Sequence, residues 1–349
     1  MEVKIQTLTP LWTGGVDGSM DRIHETGIIG SMRWWYEAIV RGLGGSACDP
    51  SKGGCIFNAE KYRQSKAIDE RHRLKDAGLC DVCQIFGATG WKRRFRLEIE
   101  EHAISNACNE RTVEANRTYE YTDRKGLKHS KTPKWHFKSA KAGQFSIICH
   151  SLSHDFQLGI IDELLRFMIE WTALGAKTQM GFGVIESLSD PPEGHPLYNW
   201  IKGINDKSYD PDLPSIRDMF FARIQLTEAK DREIFDLKYD LRRLFAEDRN
   251  LRHFIMGTIS GEHIAAKVKL SRPYEDGQIR VWGWVPREAS VYSKKCNKES
   301  ILQSIYGHIN SQYSIKSWHE MNSTRDKIYK NQDDPLIFLK SLLIDADDE

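Results

Sequence analysis

The sequence predicts an α+β fold made of two ferredoxin-like (split βαβ) domains in tandem, with insertions in the first. Three observations predict it: segments in which apolar and polar residues alternate, segments with an apolar stripe of period 3.6, and a proline-rich stretch between two such series. The 349 residues suffice for two domains of about 150 residues each. We expect domains at 1–189 and 215–349, joined by a linker at 190–214 that holds five of the eleven prolines.

The first domain opens with a strand and a long amphipathic helix. Val3, Ile5 and Thr7 alternate with polar residues, as in a strand. The stretch GIIGSMRWWYEAIVRGLGG then begins a helix with an apolar stripe. The stripe consists of Met32, Trp35, Tyr36, Ile39, Val40 and Leu43. This spacing predicts that the helix packs against a sheet along that face.

The next elements complete the order β-α-β-β-α-β. Alternation predicts a second strand near 94–100 and a third around Phe145 and Ile147. A helix over about 160–174, ended by Gly175, precedes a strand in FGVIESL. Two polar insertions, at about 46–90 and 102–142, separate the second strand from the helix before it and from the strand after it.

The second domain shows the same order of elements. Strands are predicted in FFARIQL, IAAKVKL, QIRVWGWVP and YSIKSW, and helices over 233–246 and 299–310. The halves share no visible sequence repeat, so the matching order suggests a structural duplication.

The charge balance excludes a global attraction to polyanions. Fifty lysines and arginines stand against 49 acidic residues, for a net charge of +1. Any site for nucleic acid must therefore be local. The N-terminus lacks the features of a signal peptide, and no stretch has 18 uninterrupted apolar residues. We therefore expect a cytoplasmic protein with no membrane partner.

The glycines at the start of the first helix form a candidate anion site. Gly27 and Gly30 would let a phosphate approach the free N–H groups of a helix N-terminus, although such glycines often only shape a turn. On the helical wheel Trp35 joins the apolar stripe, whereas Trp34 lies nearly opposite it, with Arg41 on its side and Arg33 at the margin.

A second glycine-rich segment, LGAKTQMGFGVI, does not fit a P-loop. The position of the first P-loop glycine is Glu170, and the segment follows a helix and precedes a strand, which is the reverse of the P-loop order. What remains is a flexible loop or a simple connector, with Lys177 and with Phe182 between Gly181 and Gly183.

Basic residues cluster in three further places. GWKRRFRLEIE sets Lys92, Arg93 and Arg94 beside aromatic residues, a pattern that suits single-stranded nucleic acid but also an ordinary solvated surface. The insertion at 109–138 is net basic and could be a mobile arm over RNA. Arg252, in LRHFIMG, is either an anion contact or the exposed side of a helix.

Four of the seven cysteines have spacings compatible with a metal site. Cys80 and Cys83 form a Cys-x2-Cys pair, and Cys48 and Cys55 precede it. Four thiolates can hold a structural zinc ion in a tetrahedral arrangement. The 24 residues between the pairs fit no tight zinc ribbon, so ordinary thiols are the alternative.

Catalytic motifs are absent from the sequence. HExxH, GxSxG and EF-hand patterns do not occur. Asp17, Asp21 and His24 precede the first helix and could act on a phosphate, but loop aspartates are usually turn formers.

Several segments together resemble the RAMP superfamily of RNA-binding proteins. These segments are LTPLWTGG, GIIGSMRWWYEAIVRGLGG, CDVCQIFGATGWKRRFRL, LGAKTQMGFGVI, LRHFIMG and RVWGWVP, and within the superfamily they resemble the first subunit of the Cmr module, the type III-B CRISPR-Cas effector. The resemblance implies two ferredoxin-like domains in a non-catalytic subunit that contacts the guide RNA 3′ portion, target RNA and other Cmr subunits.

The resemblance also implies particular contact residues. The RNA site at the helix start falls on Gly27, Gly30, Ser31, Arg33 and Trp34, and the glycine-rich loop on Lys177, Gly181, Phe182 and Gly183. Related subunits cleave RNA with an aspartate at the position of Asp17 or Asp21, whereas the subunit resembled here does not. GEHIAAKVKLSRP departs from the family pattern in the second domain. An endoribonuclease, and a scaffold that buries Trp34 and Trp12 in neighbouring subunits, remain the alternatives.

Overall fold

The protein is an α+β molecule with two four-stranded antiparallel sheets. The computed structural model describes residues 1–15, 18–49, 52–107, 111–123, 125–137, 139–191, 193–204, 210, 212–258, 261, 263–293, 296–328 and 333–343. Asp17, Arg124 and Lys138 lie outside these residues. Within them, no helix is both long enough and apolar enough to cross a membrane.

The first half contains a sheet, two long helices and two folded insertions. In chain order the elements are β1 (Glu2–Thr7), α1 (Glu25–Gly42), α2 (Ala59–Gln64), α3 (Glu70–Asp76), α4 (Cys83–Phe86), β2 (Phe95–Asn106), β3 (Arg111–Glu114), β4 (Tyr119–Thr122), β5 (Lys128–Lys131), β6 (Lys134–Phe137), β7 (Lys141–Ser151), α5 (Gly159–Trp171), β8 (Ile185–Ser187) and α6 (Pro196–Ile201). The sheet has the order β2-β7-β1-β8, and every neighbouring pair is antiparallel.

The second half repeats this arrangement. Its elements are β9 (Met219–Gln225), α7 (Asp231–Arg243), α8 (Arg249–Met256), β10 (Val268–Leu270), β11 (Gln278–Trp284), α9 (Lys298–Gln312), β12 (Ser314–Glu320) and α10 (Pro335–Leu343). The sheet order β10-β11-β9-β12 is also fully antiparallel. The strand predicted over IAAKVKL is shorter than expected, because the backbone of Ile264 pairs with Thr258 instead of with β11.

Helix α1 buries the apolar stripe that its sequence predicts. Trp35 is 4% exposed, and its neighbours on the stripe lie in the same core as β1 and α5. The opposite face differs from the wheel prediction, because Glu37 and Arg41 are also buried. The cysteine-bearing insertion covers that face, and the Glu37 carboxylate accepts a hydrogen bond from Arg41 Nη2 at 3.2 Å.

The basic insertion is folded and docked, not a free arm. It forms two antiparallel pairs, β3 with β6 and β4 with β5. Trp135 stacks on Phe235 of α7 with ring centroids 4.4 Å apart, and the Asn116 backbone N–H donates to Asp236 of α7 at 2.7 Å. The insertion of the first half therefore covers a helix of the second.

The proline-rich segment carries structure of its own. Helix α6 packs against α5, and its Leu197 and Ile201 are fully buried in the first core. Helix α10 returns to the same core, where Trp171 donates its indole N–H to the Leu342 carbonyl at 2.7 Å.

An aromatic cluster joins the two halves. Phe221 of β9 is fully buried, and its ring centroid lies 6.0 Å from that of Trp35 in α1, 5.7 Å from Phe167 and 6.2 Å from Trp171 in α5. One face of the second sheet thus packs directly on the helices of the first half.

Replacing Phe221 should test this joint. We expect Phe221→Ala to lower the free energy of unfolding by about 3–5 kcal/mol, because a buried aromatic side chain is removed and a cavity remains. Chemical denaturation followed by circular dichroism measures it. Ile68→Ala, at a fully exposed position, is the control and should stay within about 0.5 kcal/mol. Equal effects of the two substitutions would contradict the packing described here.

Candidate nucleic-acid interface

A cleft of about 340 Å³ opens where the start of α1, the loop after α5 and the second sheet meet. Three chain segments that are distant in sequence therefore form one concave surface. Its lining residues are Gly27, Gly30, Ser31, Trp34, Trp35, Ala173, Gly175, Ala176, Thr178, Lys269 and Trp282.

Gly27 and Gly30, the two glycines in the first two turns of α1, differ in their surroundings. A Cβ atom at Gly27 would lie 2.9 Å from both Cβ and the carbonyl oxygen of Thr13, so close packing requires glycine there. No atom lies within 4 Å of the corresponding position at Gly30, which is exposed at the edge of the cleft. Gly27 therefore serves the fold, and Gly30 leaves open space beside the second turn of α1 at the edge of the cleft.

The glycine-rich loop reaches the cleft with its first part only. Gly175, Ala176 and Thr178 line the cleft. Lys177, in the left-handed conformation with φ of 54°, directs its ammonium to the Trp12 ring, 3.5 Å from the centroid.

The second part of the loop is structural. Phe182 is 1% exposed and packs on Phe137 with centroids 5.8 Å apart. Gly181 and Gly183 have positive φ, and a Cβ at Gly183 would lie 2.0 Å from the Leu174 carbonyl oxygen. Close backbone packing therefore accounts for these glycines.

Sequence reasoning missed the contribution of the second half. Lys269 of β10 and Trp282 of β11, which pair across the sheet, form the far wall of the cleft. The Lys269 ammonium lies 5.2 Å from the centroid of the Trp34 ring, and burial lowers its pKa to about 8. The sequence signal for this wall is the alternation in KVKL and VWGW. In strands this alternation places the lysines and the tryptophans on the same face of the sheet.

Arg33 and Arg41 lie on another face of α1, under the cysteine-bearing insertion. Arg33 donates to Glu37 at 2.9 Å, to the Gly87 carbonyl at 3.2 Å and to the Cys83 sulfur at 3.3 Å. Arg41 is 7% exposed and donates to Glu37. Neither arginine lines the cleft.

The other predicted basic residues are dispersed. Arg94 is buried, donates to the Gln84 carbonyl at 3.1 Å and pairs with Glu70 at 3.0 Å. Lys92 is exposed and Arg93 half-buried beside it. Arg252, on α8, donates to the Ala246 carbonyl at 3.3 Å. None of these side chains contributes to the cleft lining.

The four predicted cysteines converge in the insertion between α1 and β2. The sulfur atoms of Cys48, Cys55, Cys80 and Cys83 all lie within 4.8 Å of one another. Zinc–sulfur bonds of about 2.3 Å set tetrahedral sulfur atoms about 3.8 Å apart. The cluster therefore has the composition and approximate size of a metal site.

Hydrogen bonds favour thiolate character at this cluster. The pKa of Cys80 is lowered to about 5, first because the Cys83 thiol donates to it and then because the backbone N–H groups of Cys48 and Cys83 do so, each at 3.4 Å. Burial raises the pKa of Cys55 to about 11. Backbone N–H groups directed at sulfur are the outer contacts that a tetrathiolate metal site needs.

Asp21 and His24 form an exposed pair before α1. His24 Nε2 and Asp21 Oδ1 are 2.7 Å apart, and this hydrogen bond lowers the pKa of Asp21. Neither residue lines the cleft, and Asp17 lies outside the described residues.

The fold and this cleft define an α+β protein with a tryptophan-lined cationic cleft between α1, the loop after α5 and the second antiparallel sheet. The sequence model of the RAMP superfamily matches residues 4–186, which is more than half of the chain, and the chain belongs to this superfamily.

Solved structures provide two further comparisons. The crystal structure of apo Cmr1 from Pyrococcus furiosus is 11% identical, with 90% of this chain and 97% of that chain covered and a TM-score of 0.43. The cryo-EM structure of the type III-B Cmr-beta complex, bound to cognate target RNA and AMPPnP in the presence of single-stranded DNA, contains a chain that is 12% identical, with 89% and 98% covered and a TM-score of 0.43. No functionally curated protein matches the sequence.

Replacing Gly27 and Gly30 by alanine should change the stability of the protein in opposite directions. We expect Gly30→Ala to raise the free energy of unfolding by up to about 1 kcal/mol, because alanine favours the helix and meets no neighbour. Gly27→Ala should lower it, because overpacking against Thr13 costs about 1–3 kcal/mol. Thermal and urea denaturation of both variants measure the difference, and a Gly30→Ala variant that unfolds as easily as Gly27→Ala would refute this assignment.

Proposed function

We propose that this chain is a non-catalytic RNA-binding subunit of a type III-B CRISPR-Cas (Cmr) effector, in contact with the guide RNA 3′ portion and with target RNA. One observation carries the proposal: residues from the two glycine-containing stretches that the sequence analysis singled out separately, GIIGSMRWWYEAIVRGLGG and LGAKTQMGFGVI, line the same cleft. Membership of the RAMP superfamily and the quoted Cmr-like motifs support it.

The chemistry of the cleft suits a single RNA strand. The first two turns of α1, which line the cleft with Gly27, Gly30 and Ser31, carry the partial positive charge of the helix dipole, which favours phosphate. Trp34 is half-buried and offers an indole for base stacking. Among the residues that the structure describes, no acidic side chain lines this cleft, whereas a larger cavity of about 710 Å³ elsewhere contains both arginines and glutamates.

Fewer residues are proposed to contact RNA than the sequence analysis predicted. Gly30, Ser31 and Trp34 contact RNA directly, with Lys177 at the edge of the cleft. Lys92 and Arg93 are candidates for a peripheral backbone contact. We assign the guanidinium groups of half-buried Arg33 and buried Arg41 to stabilising α1 and the cysteine cluster.

The domain organisation proposed from the sequence is retained. The order 2-3-1-4 of the four main strands in each sheet supports two tandem ferredoxin-like domains. We propose boundaries at 1–189 and 215–349 around the segment 190–214, other Cmr subunits as neighbours, and a cytoplasmic location.

Replacing Trp34 tests the RNA site. We expect Trp34→Ala to weaken binding of a fluorescent single-stranded RNA by about 1–3 kcal/mol, because one stacked base is lost. Fluorescence anisotropy measures the affinity of the purified chain. Trp200→Ala is the control, because Trp200 is also half-buried but lies outside the cleft, where it donates to the Tyr36 hydroxyl. If both variants bind RNA as tightly as the wild type, the proposed site is refuted. If Trp34→Ala weakens only the assembly with neighbouring subunits, the scaffold alternative is favoured.

We also propose that the four cysteines hold a structural zinc ion. The sulfur distances and the backbone N–H donors support a tetrathiolate site. Four thiolates around Zn²⁺ leave a net charge of −2, and the Arg33 guanidinium beside Cys83 compensates part of it. The ion would tie the insertion to the face of α1 opposite its apolar stripe.

Metal analysis tests the zinc site. We expect about one zinc ion per chain by mass spectrometry of the elements, and none in a Cys80→Ser, Cys83→Ser double variant, which loses two of four ligands. Cobalt substitution should give thiolate-to-metal charge-transfer absorption in the wild type only. Cys149→Ser is the control, since Cys149 is buried outside the cluster. A folded wild-type sample without metal, prepared without chelator, would rule out the site.

A further inference from the structure

The wall of the cleft that faces α1 comes from the second half of the chain. Lys269 and Trp282 are cross-strand neighbours on β10 and β11. Trp282 is 2% exposed and belongs to the same core as Trp35, so this wall is fixed by packing. The cleft is therefore closed on two sides by different halves of the molecule.

The ammonium group of Lys269 lies in this wall without an anionic partner. Among the described residues, its ammonium forms no hydrogen bond or ion pair, and its contact is with the Trp34 ring. Of the described residues that line the cleft, Lys269 is also the only one with a charged side chain. Burying an ammonium without a counter-charge costs free energy, which is why its pKa falls to about 8.

A neighbouring lysine that immediately precedes β10 differs in this respect. Lys267 has its ammonium over the Phe254 ring, 3.7 Å from the centroid, and donates to the Phe254 carbonyl at 3.2 Å. It lies outside the cleft lining. Burial lowers its pKa to about 8 as well, so Lys267 is a control that resembles Lys269 in burial but has a carbonyl acceptor and no access to the cleft.

We propose that Lys269 binds a phosphodiester of single-stranded RNA in this cleft, with an adjacent base against Trp34, so that the RNA bridges the two halves. This inference rests on the proposed RNA-binding function and assigns the second half a direct part in it. The start of α1 and the Lys269 ammonium then hold the phosphate from opposite sides. An acidic segment of a neighbouring protein is the competing occupant.

The test compares Lys269→Gln, Lys269→Arg and Lys267→Gln with the wild type. Anisotropy of a short fluorescent single-stranded RNA is measured over a range of salt concentrations. We expect Lys269→Gln to lower the affinity about tenfold, because a charge-assisted hydrogen bond is lost, and to reduce the salt slope by about 0.7, as one phosphate contact on a single strand requires. Lys269→Arg should retain the slope, and Lys267→Gln should match the wild type.

A stability measurement separates binding from folding. Without RNA, Lys269→Gln should unfold at the same temperature as the wild type or a higher one, because an uncompensated buried charge is removed. Added RNA should then raise the unfolding temperature of the wild type more than that of the variant.

The outcomes distinguish this inference from the proposed function. A wild type that binds no RNA would overturn both. A second outcome would overturn the role of Lys269 alone and indicate the protein segment instead. In that outcome Trp34→Ala weakens RNA binding, whereas Lys269→Gln and Lys267→Gln keep the wild-type affinity and salt slope.

Discussion

The packing of α1 between the two sheets is the constraint on which the rest of the structure depends. Trp35 sits against Phe167 of the first half and Phe221 of the second, with ring centroids 5.4 and 6.0 Å apart. Because Trp35 is held on both sides, its neighbour Trp34 is fixed at the opening between the halves, with the rings 4.7 Å apart and nearly perpendicular. Core packing thus fixes two walls of the cleft, and the loop after α5 supplies the third.

The cysteine-bearing insertion fixes α1 on its remaining side. Glu37 receives hydrogen bonds from Arg33 and Arg41, and Arg33 continues to the sulfur atoms. A buried carboxylate between two guanidinium groups is tolerated because each charge has a partner. An insertion that looks peripheral in the sequence therefore restrains the helix whose N-terminus faces the cleft.

Local patterns predicted the elements well, and tertiary contacts decided what the sequence could not. Alternation and the 3.6-residue stripe indicated β1, α1 and α5, and they separated Trp35 from Trp34, since periodicity reports burial directly. The same wheel placed Arg41 on an exposed side, because a wheel cannot register an insertion that folds back over it. Phe182 was assigned to an RNA loop for a similar reason: its partner Phe137 comes from a distant insertion. Lys269 was missed because its role arises only when β10 faces α1.

The cost of burying Lys269 points to what the cleft is for. The Lys269 ammonium contacts the Trp34 ring, but no described carboxylate neutralises it and its desolvation opposes the charged form. Such a charge is offset when an anion enters the cleft. The partial positive charge of the first two turns of α1, which line the cleft, adds to the attraction. The neighbouring Lys267 has its carbonyl acceptor within the protein and needs no ligand. The difference between Lys269 and Lys267, rather than the total charge of the chain, therefore supports the anion position that we propose at Lys269.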